Sequence, residues 1–95
     1  MLTVSGQTTD ATRYIVLSTA SGASFADNAN KLTNALRYNE SNGAAISFTG
    51  FYDHGVYIDT AYTRVEKLQI KSTQPSAYSG IVFNAASCVA DQLIV

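Results

Sequence analysis

The 95-residue sequence predicts an all-β chain that folds as a parallel solenoid of about three to four rungs, and three observations carry that expectation. Residues 54–70 and 79–95 coincide when the sequence is shifted by 25. Apolar and polar residues alternate within both stretches. Only 14% of residues are charged, while Ser, Thr and Asn make up 26 of the 95. An ordinary soluble domain carries about 25% charge.

In the repeat, Gly55 meets Gly80, Ala61 meets Ala86 and Leu68 meets Leu93. Val56 meets Ile81, Ile58 meets Phe83, Asp59 meets Asn84, Glu66 meets Asp91 and Ile70 meets Val95. Val56/Ile58 and Leu68/Ile70 are expected to face one way, and Tyr57/Asp59 and Lys67/Gln69 the other, because side chains alternate along a strand. A unit of two short strands cannot bury its inner face alone, but stacked on a copy of itself it can. Val56 is then expected on Ile81, Ile58 on Phe83 and Leu68 on Leu93. Gly55 and Gly80 are read as corner residues. Asp59 and Asn84 are read as strand-end residues that bond nearby backbone.

The remaining elements follow in chain order. Leu2-Thr3-Val4 is a short strand. Arg13–Thr19 is a strand by alternation and β-branching, with Ile15/Leu17 in the register of Leu68/Ile70. Residues 20–44 form an irregular loop. Phe25, Ala29, Leu32 and Leu36 have helical spacing, while Leu36–Asn39 followed by Ser41-Asn42-Gly43 suits a strand and turn. The preferred reading is a loop with at most one helical turn, then a strand at 34–39. Ala45–Thr49 is the next strand. The chain is read as one module, 1–95, and the apolar run Gln92–Val95 suggests a fragment of a longer solenoid or a last strand covered by a partner.

Composition excludes several functions. The net charge of −1 resembles no polyanion-binding surface. One Cys allows neither an intramolecular disulfide nor a Cys-based zinc site. The first residues lack the basic and apolar regions of a signal peptide, and no apolar run approaches the roughly 20 residues of a membrane helix.

The chain resembles the right-handed parallel β-helix proteins of the pectate-lyase-like class found in phages and environmental viruses. The resemblance rests on Thr8–Ile15, on Val56-Tyr57-Ile58-Asp59, on Val65-Glu66-Lys67-Leu68-Gln69-Ile70 and on Gly80-Ile81-Val82-Phe83 after a variable turn at Ser72–Ser79. These motifs are structural and mark no active site. The resemblance implies a non-enzymatic virion-surface protein, part of a tail fibre, tailspike or capsid appendage, extracellular and acting as a rigid spacer or docking element. It implies a homo-oligomer, commonly a trimer, in contact with other virion proteins. The alternative is a surface β-helix that binds or degrades host polysaccharide, as a lyase or hydrolase.

Individual residues add little chemistry. A glycosidase needs two carboxylates roughly 5–10 Å apart. Glu66 and Asp91 are expected as neighbours in successive rungs, but a solvated column near Arg64 and Lys67 is the preferred reading. Asp53, Asp59 and Arg64 are a weaker candidate for a metal-dependent lyase. His54 adjoins Asp53 in sequence, yet adjacent strand residues face opposite ways, so it is read as a turn histidine. Cys88 is read as a small residue near a corner. The sequence therefore supplies no catalytic, cofactor-binding or metal-binding residue, and no cofactor. The candidate contact residues are Tyr52, Tyr57, Tyr62 and Tyr78. Their rings suit subunit packing or, beside Asn, Asp and Ser, the face of a sugar.

Overall fold

The computed structural model describes residues 1–29 and 37–95. Eight short strands dominate it: β1 (Leu2–Ser5), β2 (Ile15–Leu17), β3 (Ala45–Phe48), β4 (His54–Asp59), β5 (Thr63–Glu66), β6 (Gln69–Ser72), β7 (Ser79–Phe83) and β8 (Val89–Asp91). One helical turn, α1 (Phe25–Asn28), and a 3-10 turn at Glu40–Asn42 separate β2 from β3. The strands form three open sheets, β1-β4-β7, β2-β5-β8 and β3-β6, and every pairing is parallel.

The chain passes through the three sheets in a constant order, so each circuit lies against the one before. Val56 pairs with Ile81, Ile58 with Phe83, Arg64 with Val89 and Glu66 with Asp91, each 25 residues on. A bridge from Gln69 to Ile94 keeps the same offset. The first circuit is longer. Ile15 pairs with Thr63 but Ala45 with Gln69, because 27 residues separate β2 from β3 where two separate β5 from β6.

Burial follows from this stacking. The core is Phe48, Val56, Ile58, Val65, Leu68 and Ile70, all but Phe48 from the second circuit. Val4, Leu17 and Ile46 from the first, and Ile81, Phe83 and Leu93 from the third, pack against it while only half-buried. A circuit is sealed only where another lies on both sides. The fold is accordingly thin, with extents of 40 × 32 × 15 Å.

Several local expectations change. Gly55 and Gly80 are not corner residues; they lie within β4 and β7. Their role is space. A Cβ on Gly55 would come 2.5 Å from the Gly80 carbonyl oxygen, 2.7 Å from Ile70 Cγ2 and 2.9 Å from Phe48 Cε1. The corners flanking β5 and β8 instead use non-glycine residues with positive φ. Tyr62 and Ser87 turn the chain into β5 and β8, and Lys67 and Gln92 turn it out of them. Such a conformation costs an L-residue roughly 1–2 kcal/mol, and neighbouring circuits hold it in place. Tyr62 N–H donates to Ala86 O (3.1 Å) and Lys67 N–H to Asp91 O (3.2 Å). Thr9 and Thr19 hydroxyls donate to the Ala61 and Lys67 carbonyls, at 2.6 and 2.8 Å.

The expected alternation of Leu68/Ile70 against Lys67/Gln69 is broken by a corner at Lys67, which separates β5 from β6 on different sheets. Alternation therefore restarts. Leu68 and Ile70 face the core as expected, but Gln69 is also fully buried instead of facing out. For the same reason Ile15 and Leu17 pair with Thr63 and Val65, not with Leu68 and Ile70. Asp59 and Asn84 bond each other, Asn84 Nδ2 donating to Asp59 Oδ1 (2.9 Å), where bonds to backbone were expected.

Among the described residues of the long segment between β2 and β3 there is one α-helical turn, as expected. Ser24 and Asp27 cap α1 reciprocally, and Phe25 is buried. Of the expected strand at 34–39, residues 34–36 lie outside the described residues. Arg37–Asn39 form no strand. Asn39 is bonded instead by the buried Gln69: Asn39 N–H donates to Gln69 Oε1 (2.8 Å), and Gln69 Nε2 donates to Asn39 O (2.9 Å). A side-chain amide thus completes both backbone bonds of one residue and ties the long segment to the stack.

Two substitutions test these assignments by urea unfolding. Gly55→Ala should cost about 1–3 kcal/mol through overpacking against a backbone oxygen that cannot yield. Gln69→Leu keeps the side-chain size but replaces the amide with an apolar group and removes the clamp. It should cost about 1–3 kcal/mol and speed proteolysis between residues 20 and 44. Unchanged stability and unchanged cleavage would show that Gln69 anchors nothing.

Candidate functional site

The four candidate tyrosines separate into two places. Tyr52, Tyr57 and Tyr78 gather around His54. The ring centroids lie 5.3 Å apart for Tyr52–Tyr78, 5.8 Å for His54–Tyr57 and 5.7 Å for His54–Tyr78. Tyr52 takes φ 53° and is, with Tyr78, strongly exposed. Tyr57 faces outward from β4, between Thr3 and Val82. His54 Nδ1 is buried with no hydrogen-bond partner. Asp53 does not serve it, since Asp53 Oδ1 accepts His54's own backbone N–H (2.8 Å) and Oδ2 lies 3.8 Å from the Met1 amino group.

Tyr62 lies elsewhere, on the outer face of the β2-β5-β8 sheet. It lines an open groove of about 420 Å³ with Tyr14, Val16, Arg64, Glu66 and Val89. Tyr14 is 63% exposed. It escaped the sequence reading because it stands 48 residues before Tyr62, one residue ahead of the Ile15–Thr63 pair. The 25-residue shift does not reach it, as the long segment displaces the first circuit's numbering.

Two of the groove's lining residues, Arg64 and Glu66, belong to a charge column. Glu66 and Asp91 are direct neighbours in the parallel ladder, as expected. Arg64 lies two residues before Glu66 and so on the same face. Its Nε donates to Glu66 Oε2 (2.6 Å), and its guanidinium also bonds Asp91. Ser18 Oγ donates to Glu66 Oε1 (3.0 Å). The Arg64 hydrogen bond, then that of Ser18, holds the Glu66 carboxyl below its usual range. The bond to Glu66 also raises the Arg64 pKa. This is the arrangement of a neutralised ladder: both carboxylates already accept from protein donors.

Other carboxylates are similarly engaged. Asp10 accepts from the Arg13 side chain, from the Thr12 hydroxyl and from both backbone N–H groups. These bonds, Arg13's first, bring its pKa down to about 2. Asp59 is bonded to Asn84 and Asp53 to its own neighbours, so Asp53, Asp59 and Arg64 form no joint site. Among the described residues, no group of three or more His, Cys, Asp or Glu could hold a metal ion. Cys88 is half-buried, its Sγ 3.5 Å from Thr60 O. Among the described residues no helix is long and apolar enough to cross a membrane. No family model, curated protein or solved structure matches the chain.

The lowered carboxyls fix a sign for the pH dependence. A group whose pKa falls on folding stabilises above its unfolded value and loses that contribution as pH drops through its folded value. For Glu66 and Asp10 the loss begins below their ordinary values of 4.5 and 3.8 and, for Asp10, continues toward pH 2. The urea midpoint should therefore hold from pH 7 to 5 and fall below that. Arg64→Gln should lower the midpoint at pH 7, since Glu66 and Asp91 then repel, and flatten the acid fall. About 1 M NaCl, which screens beyond about 3 Å, should restore part of the loss. A variant with the parent's pH profile would show that Arg64 does not neutralise the column.

Proposed function

We propose that the chain is a section of right-handed parallel β-helix that serves as a non-enzymatic structural element of a virion-surface appendage, a tail fibre, tailspike or capsid appendage. The observation that carries this reading is the constant 25-residue offset in two sheets and in the Gln69–Ile94 bridge. An offset that persists around a whole circuit describes a stack, and a stack distributes load along continuous backbone ladders. The outer columns suit a spacer, because they combine hydrogen-bonding or neutralised groups: Asp59 with Asn84, and Glu66 and Asp91 with Arg64. The resemblance to viral β-helix proteins supplies the setting.

A second reading is a polysaccharide-binding surface, favoured by the groove where exposed Tyr14 and Tyr62 flank Arg64. Aromatic faces and charged donors are the groups that hold a sugar ring and its hydroxyls.

Two measurements test the first reading. Amide exchange should be slowest in β4 and β5, the central strands of their sheets, and faster in β1, β2 and β7. Uniform exchange would sink the stack. Immunogold labelling of particles purified from the source should decorate an appendage. Absence of the protein from purified particles would remove the virion role. Binding to a glycan array that Tyr14→Ala and Tyr62→Ala abolish would instead favour the second reading.

A further inference from the structure

The charges in the groove on the outer face of the β2-β5-β8 sheet are already paired within the chain. Resting on the second reading above, we propose that this groove takes an uncharged polysaccharide, a run of neutral hexose units without carboxylate, sulfate or free amine.

Three observations carry this. First, the groove offers aromatic rings and aliphatic side chains together. Tyr14 and Tyr62 each stand one residue ahead of the Ile15–Thr63 pair, and both line the groove. Val16 and Val89 lie on either side of Arg64 in the ladder, each 46% exposed. Such side chains pack on the C–H face of a sugar ring without desolvating a charge. The volume of about 420 Å³ falls within the roughly 300–1,000 Å³ of small-ligand sites.

Second, the ionic groups select against a charged sugar. Among the described residues lining the groove, Arg64 is the only cation and Glu66 the only anion, and they bond each other. Arg64 also bonds Asp91, and Glu66 also accepts from Ser18. A carboxylate or sulfate on the sugar would have to displace Glu66 and Asp91 from the one guanidinium. An amine on the sugar would have to displace Arg64 from Glu66. A neutral sugar displaces neither and needs only partners for its hydroxyls. The Arg64 bonds run through Nε and Nη2. The two N–H donors of Nη1 therefore have no partner among the described residues, and Ser87 adds a hydroxyl to the same lining.

Third, both tyrosines start from fixed backbone. Tyr62 N–H donates to Ala86 O, and Ile15 N–H donates to Tyr62 O, each at 3.1 Å. Ahead of Tyr14 the turn is closed twice, by Arg13 N–H on Asp10 O (3.1 Å) and by Asp10 N–H on Arg13 O (2.9 Å). A ligand therefore has little backbone to order. The same charges disfavour a protein occupant. The Arg64 and Asp91 side chains are 44% and 41% exposed, and an apolar protein face laid over them would strip their water without replacing it. A sugar replaces that water with its own hydroxyls.

The test is affinity electrophoresis and titration calorimetry of the whole chain. The probes are neutral polymers (dextran, mannan and galactan), an acidic one (polygalacturonate) and a basic one (chitosan). At least one neutral polymer should bind, with an affinity that about 1 M NaCl leaves unchanged. Tyr14→Ala should weaken that binding about tenfold with an unchanged far-UV circular dichroism spectrum. Tyr78→Ala, in the separate cluster around His54, should leave it as in the parent. Binding of polygalacturonate or chitosan in place of the neutral polymers, weakened by salt, overturns the uncharged class while the polysaccharide reading stands. Equal binding by the parent and Tyr14→Ala overturns the groove as the site. Binding of none of the polymers overturns both this proposal and the reading it rests on. A parent oligomer that Tyr14→Ala makes monomeric in sedimentation velocity would assign the groove to a second copy, and the proposal would fall.

Discussion

The structure depends on one constraint: a circuit of this chain has no second layer of its own to cover its inner face. Each circuit brings a few apolar residues inward, and they become buried only when neighbouring circuits lie above and below. Val56, Ile58, Val65, Leu68 and Ile70 meet that condition. Burying a side chain of this kind contributes about 1.5–3 kcal/mol, so the middle circuit holds most of the available stabilisation. Parallel pairing at a constant offset is what places these residues on one another. Every other feature serves to keep that offset from slipping.

Three restraints keep it. The first is the corner. Tyr62 and Ser87 repeat at one offset, as do Lys67 and Gln92, all with positive φ. The same turn in successive circuits restarts each strand at the same height, so a one-residue slip would misplace every corner as well as every side chain. The second is close approach. Gly55 lies so near Gly80 and Phe48 that no side chain fits, which lets backbone and core pack tightly at the start of β4. Gln69 adds a third restraint of a different kind. Its buried amide bonds both the backbone N–H and the carbonyl of Asn39 and so holds that residue to the stack.

Much of this was legible in the sequence, and the failures share a cause. Alternation located the strands, and the shift of 25 located the partners Val56–Ile81 and Ile58–Phe83, because both depend on side-chain direction alone. Alternation cannot signal where a strand ends at a left-handed corner formed by Lys67, since lysine has no special tendency to turn. Alternation alone therefore puts Gln69 outside and matches Ile15 and Leu17 to Leu68 and Ile70. Glycine at 55 suggested a turn because that is its commonest use, whereas here it answers to a neighbour 25 residues away. The candidate tyrosines suffered likewise. Tyr14 shares the groove with Tyr62, but the insertion between β2 and β3 hides their relation from any fixed period.

The low charge content acquires a physical reason from the same stacking. Equivalent residues recur about 4.8 Å apart along a parallel ladder, so an unmatched charge meets its neighbours at close range in every circuit. The chain admits charge where an adjacent residue supplies the answering group. Asp59 has Ser5 on one side and bonds the Asn84 amide on the other. Glu66 has the Ser18 hydroxyl below it. Where two carboxylates do stack directly, at Glu66 and Asp91, the period of two sets Arg64 on the same face to bridge them. Ser, Thr and Asn satisfy a ladder without needing such an arrangement, because each both donates and accepts. A parallel ladder favours them, because an uncompensated charge would face its neighbours in the adjacent strands.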